Sequence, residues 1–157
     1  MPADGAWVRR MLTERWGSAA VACLSGLHDA ASLEGVVAQL DSAPAGLATY
    51  RVDGDECEVV TLDSLAGGYS IGTALLRAVA DVARARGCRR IWLTTSNDNL
   101  AALRFYQRRG WDLVALHHDA ATEWRRHLKP EIPESGQNGI PIRHALELEL
   151  WLSPTED

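Results

Sequence analysis

The stretch "ECEVVTLDSLAGGYSIGTALLRAVADVARARGCRRIWLTT", residues 56–95, decides the fold. It opens on an apolar run, "ECEVVTL", and passes through a glycine-bearing turn, "GGYSIG". A helical pattern follows, predicted over 71–86. Ile71, Leu75, Leu76, Val79, Val82 and Ala83 recur on one face at helical spacing. Arg77, Asp81, Arg84 and Arg86 lie off that face, and Gly87 is a stop signal. "RIWLTT", residues 90–95, then reads as a buried strand. A strand, a helix and a strand with short links form a right-handed crossover, so the two strands are expected to be parallel.

Upstream, "WVRRMLTERW" (7–16) reads as a short helix ended by Gly17, and "AAVACLS" (19–25) as a small strand. The polar, turn-rich segment 26–35 reads as a loop. Three antiparallel strands are expected at about 36–40, 46–52 and 56–62, separated by "DSAPA" and "DGD". Downstream, a helix is predicted over 99–109, with "SNDN" ahead of it as capping material and Gly110 behind. "DLVALHH" reads as a strand and "ATEWRRHLK" as a short helix cut off at Pro130. A proline- and glycine-bearing loop follows, and the alternating strand "ALELELWL" closes the series. The pattern is an α/β (α+β) layer: antiparallel strands first, one parallel crossover, antiparallel strands last.

The chain has 157 residues, which suits one domain, 1–157. Its formal charge of −5 makes it a poor nucleic-acid binder. It has no apolar stretch long enough for a bilayer and no signal-peptide pattern at its start, so a cytoplasmic protein without membrane contact is expected. Cys23, Cys57 and Cys88 show no metal-ligand spacing, so no metal is expected and all three read as apolar fillers.

Two segments carry a family resemblance. "NLAALRFYQRRGW", residues 99–111, sets Asn99, Ala102, Phe105, Tyr106, Gly110 and Trp111 at the spacing found in the GNAT superfamily of N-acetyltransferases. "GGYSIG" is similar to that superfamily's pyrophosphate loop. Gly67 stands there for the usual basic or Gln residue and Ser70 for the middle glycine. The ending "LKPEIPESGQNGIPIRHALELEL" resembles an uncharacterised bacterial subgroup. The resemblance covers about residues 33–152. It implies a GNAT-like mixed, mostly antiparallel sheet with a central parallel β-α-β crossover and helices on both faces. It also implies an acyltransferase moving acetyl from acetyl-CoA to a primary amine of a small molecule or peptide, by direct attack in a ternary complex.

The resemblance places residues as follows. Gly67 belongs to the cofactor-binding loop, and backbone N–H groups of Gly68, Tyr69, Ser70, Ile71, Gly72 and Thr73, with the Thr73 hydroxyl, would hold the diphosphate at a helix N-terminus, where unpaired donors and the helix dipole favour an anion. The strand edge at Val60, Thr61 and Leu62 would pair with the pantetheine arm, and an N–H near Val60 or Thr61 would face the oxyanion. Tyr106 would protonate the leaving sulfur and, with Ala102, belong to the cofactor-binding set, and Asn99 would orient the pantetheine or cap its helix. Glu58 is the first candidate base, buried beside apolar neighbours. Alternation puts Glu56, Glu58, Val60 and Leu62 on one strand face and Cys57, Val59, Thr61 and Asp63 on the other. His28, His117, His118 and His144 are alternatives. Cys57 lacks a base that would make it a nucleophile. Arg108, Arg109 and "WRRHLK" read as a solvated basic patch or a contact for the adenosine 3′-phosphate. Ser70 in a left-handed position would cost about 1 kcal/mol. The alternative reading is an altered member whose acetyl-CoA binding is weakened or lost and whose cleft serves another reaction or ligand. A homodimer through the alternating "ALELELWL" strand is a further expectation.

Overall fold

The structure, a computed structural model, describes residues 5–66 and 70–153. The elements run α1 (Gly5–Trp16), β1 (Ala20–Cys23), β2 (Gly26–Asp29), β3 (Glu34–Leu40), β4 (Ala43–Asp53), β5 (Glu56–Ser64), α2 (Ile71–Ala85), β6 (Arg90–Ser96), α3 (Leu100–Gln107), β7 (Asp112–His117), α4 (Ala120–His127) and β8 (Ala145–Trp151). Segment 26–35, expected as a loop, instead contains β2, a 3-10 turn at Ala30–Ser32 and the start of β3. Asp29 makes that turn, its carboxylate accepting the Ala31 N–H.

The described chain forms two compact units. The first holds residues up to Val21, Asp29–Ile91 and the segment from Trp151. Its sheet runs β3-β4-β5 and reaches the first residues of β6. Both β3-β4 and β4-β5 are antiparallel. Six consecutive residues, Ala45–Tyr50, are buried, because helices cover both faces of β4. On one face α2 comes so near that a Cβ on Gly46 would stand 2.6 Å from Ile71 Cγ2. On the other, Val8, Met11 and Leu12 of α1 form a core cluster with Leu47. Ile71, Leu75, Leu76, Val79 and Ala83 of the predicted α2 stripe are buried, together with Ala80, while Val82 is half-buried. Each fully buried Leu, Ile or Val on it contributes roughly 2 kcal/mol. The Asp55 carbonyl accepts N–H groups from both Arg89 and Arg90. β6 therefore starts beside the start of β5, and the two run parallel, as expected of a crossover.

The second unit holds Ala22–His28 and Trp92–Leu150. Its strands run in the order β6-β8-β7, with β7 and β8 antiparallel. β8 thus lies between two strands, and both of its backbone edges are used. This corrects the expectation that "ALELELWL" offers a free edge for a second copy. The segment after α4 is tied down rather than loose. Arg125 donates to the carbonyls of Ile132 and Ile142, each at 2.8 Å. Asn97, expected only as capping material, accepts the N–H groups of Arg143 and His144 at 2.9 Å and donates to the Pro141 carbonyl.

Candidate active site

The decisive local feature is a bulge in β5. Thr49 pairs with Thr61 and Tyr50 with Val59, which leaves Val60 as the extra residue. A bulge shifts the alternation by one from that point on. Thr61 and Asp63 therefore turn to the Glu58 face, and Leu62 turns to the face of Cys57 and Val59. The face assignment expected from strict alternation is wrong beyond Val60 for this reason. The result is a column of three cross-strand pairs on the α1 side: Arg51 with Glu58, Thr49 with Thr61, and Leu47 with Asp63.

Glu58 is buried at 2% exposure, and Arg51 Nη1 stands 3.4 Å from its Oε1. Its surroundings are thus more polar than expected. A guanidinium offsets the charge of a carboxylate that burial alone would penalise. The Thr49 and Thr61 hydroxyls lie 2.6 Å apart. Asp63, passed over in the sequence, is equally enclosed. Trp16 Nε1 donates to its Oδ1 at 2.8 Å, and Arg15 Nε stands 3.3 Å from the same oxygen. Burial raises the Asp63 carboxyl above its ordinary value, against the opposing effects of Trp16 and Arg15. The signal that could have found it is a lone acid ending an apolar strand. Beside it, a cleft of about 400 Å³ is lined by Trp7, Arg10, Glu14, Arg15, Pro44 and Leu65 among others.

Gly67, Gly68 and Tyr69 lie outside the described residues. Ser70, next in the chain, caps α2 in the left-handed region at φ 54°, ψ 32°, and its side chain makes no capping hydrogen bond. Intrahelical bonding begins when the Ala74 N–H donates to the Ser70 carbonyl. The N–H groups of Ile71, Gly72 and Thr73 precede that bond, in the first turn of α2, where a helix has no intrahelical acceptor for them. The Ile71 side chain itself is buried beneath Gly46, so only its backbone is available to a ligand.

In the second unit, Asn99 Oδ1 accepts the Ala102 N–H at 3.2 Å, which makes Asn99 a helix cap. Tyr106 is the buried residue of α3, edge-on to Phe105 at 5.2 Å and tilted against Trp111 at 5.4 Å. Gly110, at φ 86°, lets the chain turn so that Trp111 meets Tyr106. Arg109 lies over the Phe105 ring at 3.7 Å and donates to the Phe105 carbonyl. Arg125 is occupied with the carbonyls named above, so two members of the expected basic patch have structural work. The alternative bases are engaged as well. His28 Nε2 meets Ser25 Oγ at 2.7 Å, and His117 Nε2 meets Glu147 Oε1 at 2.9 Å. Burial pushes the Cys57 thiol up to about 12, which removes it as a nucleophile.

The model of the acetyltransferase (GNAT) family matches residues 5–111. The chain belongs to this family. This GNAT protein is an acyltransferase. It is 43% identical over 140 residues to the uncharacterised protein YdhI of Bacillus subtilis, covering 86% of this chain and 87% of that one. Among solved structures, a Bacillus subtilis acetyltransferase in complex with CoA aligns over 92% of this chain and 84% of that one, at 20% identity and TM-score 0.66. A GNAT family acetyltransferase from Elizabethkingia anophelis with acetyl-CoA bound covers 77% of each chain, at 18% identity and TM-score 0.67. These likenesses support the expected mixed, mostly antiparallel fold. No described helix of this GNAT protein is long and apolar enough to cross a membrane.

Proposed function

We propose that the protein moves an acetyl group from acetyl-CoA to a primary amine of a small molecule or peptide, by direct attack in a ternary complex. The observation that carries this reading is the Val60 bulge in β5, followed after Ser64 by the N-terminus of α2 at Ile71, where the Ser70 side chain makes no capping hydrogen bond. A bulged residue leaves the ladder, so its N–H is available to an oxyanion. The helix end beyond offers N–H donors and a positive dipole to a diphosphate. Gly68 to Thr73 supply those donors, and Val60, Thr61 and Leu62 pair with the pantetheine arm.

The amine nitrogen attacks the thioester carbonyl, and the carbon–sulfur bond breaks. Glu58 takes the proton lost by nitrogen, directly or through water, and Tyr106 gives a proton to the departing sulfur. The products are an amide and a free thiol. Asn99 and Ala102 support Tyr106 by fixing the first turn of α3.

A second reading rests on Ser70. A left-handed serine and a missing basic side chain at Gly67 favour an altered member with weakened acetyl-CoA binding. Calorimetric titration with acetyl-CoA, with desulfo-CoA as control, separates the two. Micromolar binding supports the transferase, and an amine screen then follows. Absence of binding by either ligand at millimolar concentration removes it.

A further inference from the structure

His118, Asp119 and His144 are 26 residues apart at their extremes, yet the fold brings one ligand atom of each within 4.8 Å of the others. His118 Nδ1 stands 2.9 Å from Asp119 Oδ2, and His144 Nδ1 stands 4.0 Å from Asp119 Oδ1. Ligands about 2.05 Å from a tetrahedral zinc ion lie about 3.3 Å apart, and the two separations bracket that value. The Asp119 backbone N–H donates to His144 Nδ1 at 2.8 Å. That bond marks a lone pair on Nδ1 and places the ring proton on Nε2. This is the tautomer a cation at Nδ1 requires, and the cation would replace the N–H there. The two imidazole rings lie 4.7 Å apart, centroid to centroid, and 33° from parallel. Asp119 holds a left-handed conformation, φ 56°, just before α4. Arg143 Nη2 contacts the same carboxylate at 3.1 Å, but its side chain is half exposed and can swing to solvent.

We propose that His118, Asp119 and His144 form a binding site for a divalent transition cation, with zinc the best match. Two imidazoles and one carboxylate favour zinc, nickel or copper over magnesium or calcium, which prefer all-oxygen shells. The ion would join the turn before α4 to the start of β8 and close the segment between them. One coordination position would remain open to water or a ligand.

The test uses the untagged, metal-free full chain. Zinc is titrated calorimetrically and cobalt is followed by visible absorption. One equivalent of zinc should bind and raise the melting temperature. The cobalt spectrum should show nitrogen and oxygen ligation without a sulfur-to-metal band. His118→Ala, at an exposed position, should leave the apo melting temperature unchanged, weaken zinc binding by about tenfold or more, and abolish the thermal shift. His144→Ala should do the same to binding if it folds. Absence of zinc binding, equal affinity in His118→Ala, or a sulfur-to-cobalt band would each overturn the site.

Discussion

Glu58 and Tyr106 are the residues on which the proposed chemistry turns, and they can be tested without disturbing their shapes. Glu58→Gln keeps the volume beside Arg51 and should lower kcat by about 100-fold or more, as loss of a general base does. Tyr106→Phe keeps the ring packing against Phe105 and Trp111 and should lower kcat. Wild-type kcat in both variants would remove these roles. Asp63 carries a pH signature instead. Its carboxyl is raised by burial, and a raised acid stabilises the folded state fully below its unfolded value. That contribution is lost as pH rises through the folded value. Asp63→Asn cannot ionise, so its stability should gain on wild type as pH climbs from about 3.9 upward. Melts across a pH series check this, and a constant offset would contradict it. None of Glu58's partners was visible in the sequence. Arg51 is seven residues away, and only the hairpin register sets it opposite.

At the level of elements, α2 is the piece that joins the fold to the site, and it is vulnerable at both contacts. Gly46→Ala would place a methyl group 2.6 Å from Ile71 Cγ2 and 2.9 Å from the Asp63 carbonyl oxygen. The side chain can yield but the backbone yields less, so a loss of about 1–3 kcal/mol is expected in denaturant unfolding. Ser70→Gly removes a left-handed side chain and should stabilise by about 1 kcal/mol, seen as a higher melting temperature. A lower one would mean that the serine makes compensating contacts. The helix itself was legible because its apolar stripe is local and periodic. The β5 bulge was not, since an inserted residue leaves no mark on composition and shows only when β4 sets the register. β2 was missed for a related reason. "GLHD" has half-exposed residues and turn formers, and its pairing with β1, rather than its own pattern, makes it a strand.

For the molecule as a whole, the three cysteines report on integrity. Cys23, Cys57 and Cys88 are buried thiols outside any disulfide. Burial raises the thiols of Cys57 and Cys88, and thiolates are the reactive form. A thiol reagent should therefore label the native protein slowly and modify all three cysteines rapidly in denaturant. Fast native labelling of Cys57 would show that β5 opens locally. The sequence alone determined the order of most elements, the parallel crossover and the family, because these rest on local periodicity and on motifs within a dozen residues. Tertiary structure alone decided the burial of Asp63, the Arg51–Glu58 pair, the enclosure of β8 and the meeting of His118 and Asp119 with His144. Each depends on which distant backbone lies alongside. Register and strand order are properties of the packed chain, and a single bulge is enough to exchange the faces of half a strand.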